Sequence, residues 1–143
     1  MNYKLRRIDP YWMKNPVIPI VAFVGTAAAL VLVGVHQAVA SIISGVVAGI
    51  AVVLATQPAI TAVTLVLGLA GGLTEFGLSS SPDALAMPMG MRLLSSILFA
   101  LFYAVLMDGV VLALAVLYNF FAGTAGWGGI SLDMDAGEDE AEA

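Results

Sequence analysis

Few residues in this chain could do chemistry. Asp108 stands inside the apolar run from Leu93 to Ala122. An ionisable group within a bilayer costs roughly 2.5–3.5 kcal/mol on insertion scales, so it marks a functional candidate by default. It could relay protons or bind a cation. Its neighbours three and four residues away are Ala104, Val105, Val111 and Leu112, and none is polar. Arg92 lies sixteen residues off, about 24 Å along a helix and far beyond pairing distance. A carboxylate isolated in hydrocarbon takes up a proton rather than stay charged. The expectation is therefore a packing feature, or a local break at Asp108-Gly109, ahead of a working residue.

His36, beside Gln37, is the single histidine. One imidazole cannot assemble a metal site or a triad without partners, so His36 reads as an interfacial turn residue. Glu75 falls at the end of an apolar run. Ser79, Ser80 and Ser81 form a loop run without a base. There is no cysteine. GxSxG, P-loop and HExxH patterns are missing from the sequence. No catalytic, cofactor-binding or metal-binding residue is assigned, no enzyme activity is expected, and no nucleic-acid partner is evident.

Ser41, Gly45 and Gly49 recur at four-residue spacing. Small residues on one face let helix backbones approach closely, which is how helices associate in lipid. These three are the expected helix-packing residues, and Gly68, Gly71 and Gly72 repeat the theme. The functional alternative is a face for homo-oligomers or a larger membrane assembly.

The elements that must carry these residues follow from composition. Of 143 residues, 61% are apolar and 10% charged, and the mean hydropathy is +1.02. Soluble domains carry about 25% charged residues, so a water-soluble class is excluded. The net charge of −5 divides into +3 over residues 1–15, −2 over 16–132 and −6 over 133–143. No residue from Asn15 to Thr74 is charged. A crossing takes about 20 helical residues, so that stretch holds roughly three spans. Polar points at His36-Gln37 and Thr56-Gln57-Pro58 divide it into spans near 16–35, 38–56 and 59–76. Pro58 suits a first helical turn. Residues 77–91 read as a loop. The run 93–122 reads as one long helix, because two spans of about 14 residues would be too short to cross.

The expected fold is all-α: a polytopic membrane protein with four transmembrane helices and both termini on the same side. Its parts are a basic juxtamembrane segment (1–15), a four-helix membrane domain (16–122) and an acidic flexible tail (123–143). Lys4, Arg6, Arg7 and Lys14 precede the first span and place the N-terminus on the cytoplasmic side. Tyr11 and Trp12 before span one, and Tyr118, Phe120, Phe121 and Trp127 after span four, form an aromatic belt at that interface. A cleaved signal peptide would need a break near Thr26–Ala29, but the apolar run continues to Gly34.

This layout resembles the small internal membrane protein of haloarchaeal pleomorphic viruses. The resemblance rests on the basic lead MNYKLRRIDPYWMKNP, four apolar spans, short loops and an acidic end. It implies a structural role in a virion envelope, with the termini facing the virion interior. Two readings follow. One is a non-catalytic structural membrane protein whose partner is the lipid bilayer. The other is a small accessory or ion-translocating subunit of a transport or respiratory complex, with Asp108 as its ionisable stop and Ser41 or Thr64 as polar wall.

Overall fold

The computed structural model describes residues 2–5, 7–13 and 15–133, with backbone alone at 2–4, 84 and 131–133. The elements are β1 (Asn2–Leu5), α1 (Val17–Gly34), α2 (Ala38–Ala55), α3 (Pro58–Gly72), α4 (Pro82–Ala86), α5 (Met89–Asn119) and β2 (Ile130–Asp133). Helix α3 runs on into a π turn at Leu73–Gly77, and α5 into another at Phe120–Thr124. Four helical stretches are long and apolar enough to cross a membrane: Val17–Gly34, Ala38–Ala55, Pro58–Gly77 and Met89–Thr124. The fold is all-α with the composition of an integral membrane protein. Two compact units divide it, residues 10–112 and residues 1–9 with 113–143.

Local chemistry explains the helix boundaries. Gln57 is extended (φ −61°, ψ 133°), as the residue before a proline must be, and Pro58 opens α3 where its missing N–H is not needed. Pro19 lies in the first turn of α1 and leaves the helix intact. Helix α1 ends in a Schellman motif. His36 is left-handed (φ 59°). The His36 N–H donates to Val33 O (3.0 Å) and the Gln37 N–H to Leu32 O (2.8 Å). This position ordinarily takes glycine. His36 is thus the exposed turn residue between α1 and α2. Replacing it with glycine removes a left-handed penalty of about 1–2 kcal/mol, against roughly 0.5–1 kcal/mol of added chain entropy. A small rise in thermal stability in detergent is expected, and a fall of several degrees would contradict the assignment.

In the larger unit the usual size order is inverted. The buried apolar residues are chiefly alanines, including Ala22, Ala48, Ala51, Ala55, Ala100 and Ala104. Large side chains such as Phe23, Leu30, Val39 and Phe102 point outward. Small residues inside bring backbones close, and lipid accepts the large ones. Helices α1 and α2 are joined by two hydroxyls. Ser41 Oγ donates to Ala29 O (3.0 Å) and Ser44 Oγ to Gly25 O (2.9 Å). Residues 10–12 pair with the α2–α3 connection through Trp12 N–H to Ala55 O and Gln57 N–H to Pro10 O, both 2.9 Å. The loop expected at 77–91 contains the single turn of α4, and α5 begins at Met89. Arg92 Nε donates to Met87 O (3.3 Å) across that junction. Helix α5 passes through Asp108-Gly109 without a break.

In the smaller unit β1 and β2 are antiparallel, from Asn2 opposite Asp133 to Leu5 opposite Ile130. Two consecutive side chains at the end of α5 hold the entering chain. The Tyr118 hydroxyl donates to Leu5 O and accepts from the Ile130 N–H. Asn119 Nδ2 donates to Ile8 O while its Oδ1 accepts from the Ile8 N–H, both at 2.8 Å. Residues 130–133 therefore form a strand where a flexible tail was expected, and residues 134–143 lie outside the described residues. Asn119→Ala removes two hydrogen bonds, worth together about 1–3 kcal/mol. Amide exchange at Ile8 should accelerate by ten-fold or more, and unchanged exchange would show that this clasp contributes nothing.

Candidate functional site

The site is built where α3 faces α5. On α5, Ser96, Ala100, Ala104 and Asp108 recur every four residues, and all are buried. That spacing puts them in one stripe along the helix. On α3 the facing stripe is Thr61, Thr64, Gly68 and Gly72. A Cβ added at Gly72 would lie 2.6 Å from Ser96 O, and one at Gly68 would lie 2.9 Å from both Cα and O of Ala100. The two backbones are in contact at these points. Ser96 Oγ lies 2.9 Å from Gly72 O and 2.9 Å from Arg92 O, and can donate to either.

At the other end of this seam sits Asp108, with no exposed surface. Thr61 Oγ1 donates to its Oδ2 (2.6 Å). Thr64 Oγ1 lies 2.9 Å from its Oδ1 and 3.0 Å from Thr61 O. A polar side chain buried without partners would be costly in hydrocarbon. Here both carboxyl oxygens are engaged. The partners come from a neighbouring helix, so a search along α5 alone could not find them.

Several geometric facts bear on what this arrangement can do. Thr61 lies within the first turn of α3 and Thr64 within the second, so Asp108 is nearer one end of that helix than its middle. Within the buried α5 stripe the next hydroxyl is Ser96, twelve residues or about 18 Å away, with Ala100 and Ala104 between, and half-buried Tyr103 borders the seam, its Cβ 3.0 Å from where a Cβ on Gly68 would stand. Glu75 is exposed in the π turn, eleven residues beyond Thr64, about 16 Å along the axis. His36 is exposed in the α1–α2 turn. Neither joins Asp108. An open groove of about 700 Å³ runs beside the seam between α2 and α5, and Thr61 is the only polar residue in its wall. No group of three or more potential metal ligands occurs among the described residues.

The stripe Ser41, Gly45, Gly49 is divided between two neighbours. Ser41 bonds α1. Gly45 is loose there, since an added Cβ would be 4.0 Å from Ala29 Cβ, and Gly49 faces Val105 of α5 at 3.5 Å. In the larger unit the approaches that require glycine are at Gly68 and Gly72, with Gly25 nearly as tight, 3.0 Å from Ala48 Cβ. Sequence reasoning missed Thr61 and the stripe Ser96, Ala100, Ala104. The signal was present as small residues at four-residue steps ending on Asp108. No family model, curated protein or solved structure matches this chain.

Proposed function

We propose that the chain is a non-catalytic structural membrane protein in which Asp108 fastens α3 to α5. One observation carries this reading: both oxygens of the buried carboxyl are engaged by hydroxyls of the same chain, Thr61 and Thr64. A translocation site needs a chain of polar stops, and the next two positions of the buried α5 stripe, Ala104 and Ala100, are apolar. Interhelical polar contacts of this kind contribute about 0.6 kcal/mol on average and up to about 1.7. The outer surface of large aliphatic and aromatic side chains suits burial in lipid as the principal partner.

The antiparallel pairing of β1 with β2 supports placing both ends of the described chain on one side of the bilayer. The basic residues before α1 support the cytoplasmic or virion-interior side. The layout of basic lead, four spans and acidic end supports a virion envelope as the particular membrane. The test is where the protein is found and in what amount. A structural component should be abundant per lipid in purified enveloped particles or vesicles, and its tail should survive protease added outside sealed vesicles. Recovery at fixed low stoichiometry with a respiratory or transport complex would favour the accessory-subunit alternative.

A further inference from the structure

The smaller unit carries a basic segment that the fastening role leaves unused. Residues 1–9 hold Lys4, Arg6 and Arg7 against Asp9, a net +2, and residues 113–133 hold one charge, Asp133. The clasp on α5 decides where the basic segment stands. Leu5 O is held by the Tyr118 hydroxyl, and both the N–H and the C=O of Ile8 are held by Asn119. Arg6 and Arg7 are the two residues that join Leu5 to Ile8. Arg7 is exposed. The segment is thus tied to the end of a helix long and apolar enough to cross a membrane. Shortly after the clasp come Phe120, Phe121 and Trp127, all exposed, Trp127 by 78%. Trp127 stacks on Phe121 with 4.8 Å between ring centroids. Exposed tryptophan beside a membrane span settles at headgroup level. Clasp and aromatic cluster therefore agree in placing Arg7 at the depth of lipid phosphates.

We infer that Arg7, with Lys4 and Arg6 adding to its field, is a surface for the headgroups of anionic phospholipids. A guanidinium presents a fork of donors that matches two phosphate oxygens. An anionic lipid adds what a zwitterionic one lacks, a net charge opposite to that of the segment. Each basic residue close to an anionic surface brings roughly five-fold tighter association, and salt screens it. The acidic end of the chain is the rival occupant, and the ribbon directs it elsewhere. Asp133 stands opposite Asn2, three residue steps or about 10 Å from the Leu5 end of the ribbon, roughly one Debye length at 0.1 M salt. Strand β2 runs toward Asn2, so its direction at Asp133 is away from the clasp. A nucleic acid fits less well, because its phosphates would have to share the depth of exposed aromatics that belong in lipid. The inference adds a headgroup class to the lipid partner proposed above. It rests on that membrane reading and is independent of Asp108.

The test is electron spin resonance of the full chain in phosphatidylcholine vesicles at low salt, with spin-labelled phosphatidylglycerol or spin-labelled phosphatidylcholine as the probe. Lipid held against the protein gives an immobilised component. Phosphatidylglycerol should be held roughly five-fold more strongly than phosphatidylcholine. The preference should shrink in 1 M salt, where the Debye length is about 3 Å. Arg6→Gln combined with Arg7→Gln should bring the ratio close to one, since Lys4 and Asp9 then cancel. Asn119→Ala keeps every charge but frees Ile8, and it should lower the ratio too. Deleting residues 134–143 should leave the ratio nearly unchanged. Equal immobilisation of the two probes by the wild type would overturn the inference and leave the membrane reading standing, whereas no immobilised component from either probe would overturn both. A ratio unmoved by salt, by the double arginine variant or by Asn119→Ala would also overturn it. So would a large rise in the ratio on deleting 134–143, because the acidic end would then be the occupant. Capture of a short DNA duplex by the wild type through Arg6 and Arg7, with no headgroup preference, would replace the lipid surface with a nucleic-acid one.

Discussion

Gly72→Val should prevent α3 from seating on α5. The new Cβ would lie 2.6 Å from Ser96 O and 2.9 Å from Ser96 Cα, which are backbone atoms of a helix and cannot step aside. Overpacking of a tight core costs typically about 1–3 kcal/mol, and a clash with backbone belongs at or above the top of that range. The Ser96–Gly72 hydrogen bond is lost with it. Gly68→Val should behave alike, since Ala100 backbone stands 2.9 Å away. The expected readout is a large drop in thermal stability in mild detergent, or loss of the monodisperse species in size-exclusion chromatography. Gly45→Ala and Gly109→Ala are the controls. The first has only Ala29 Cβ at 4.0 Å and the second has open space, so both should stay within about 0.5–1 kcal/mol of wild type. Equal damage from Gly45→Ala and Gly72→Ala would show that the tight seam is not where the structure places it.

The Asp108 series separates fastening from charge. Asparagine keeps the size of the side chain. Its carbonyl can accept from Thr61 Oγ1 and its amide N–H can donate to Thr64 Oγ1, so both contacts across the seam are kept. Asp108→Asn should therefore insert, accumulate and melt within about 1 kcal/mol of wild type. Asp108→Ala leaves the Thr61 hydroxyl without its acceptor and opens a void at a fully buried position. It should cost about 2–3 kcal/mol, as an unsatisfied buried group with a cavity beside it. Thr61→Val combined with Asp108→Ala should recover part of that loss, because both partners of one hydrogen bond are then gone. Thermal melts of the four proteins in one detergent measure these differences. An asparagine variant as unstable as the alanine variant would contradict the fastening role.

Much of the fold was legible because hydrophobic length dominates in lipid. The expected spans at 16–35 and 38–56 match α1 and α2 within two residues at each end, and Pro58 marked the start of α3. The last span was also read as one long helix, although α5 starts four residues earlier than 93. Asp108-Gly109 suggested a break in a sequence read by local propensity. The helix continues because the backbone hydrogen bonds cannot be given up in hydrocarbon and the side chain has partners across the seam.

The candidate site was half legible. Asp108 was found by type alone. Its partners were not, because a helix read by itself gives only neighbours at three and four residues, and Thr61 and Thr64 are some forty-five residues away on another helix. Ser41, Gly45 and Gly49 shared one four-residue spacing with Ser96, Ala100, Ala104 and Asp108. Spacing cannot say which stripe meets backbone at close range. Only the packing partner does, and it selects Gly68 and Gly72 over Gly45. The strand at 130–133 was hidden in another way. Its partner is Asn2–Leu5 at the far end of the chain, and the entering chain is held by Tyr118, which read only as an aromatic-belt residue, and by Asn119, which the sequence did not single out.

The central claim is that Asp108 holds helices together and moves nothing. The most direct measurement is proton and sodium flux into sealed liposomes containing the purified wild-type chain, beside Asp108→Asn and protein-free vesicles, under an imposed gradient. The account predicts that all three leak at the same rate. Flux in the wild-type vesicles that Asp108→Asn abolishes, with the variant inserted to the same level, would contradict it.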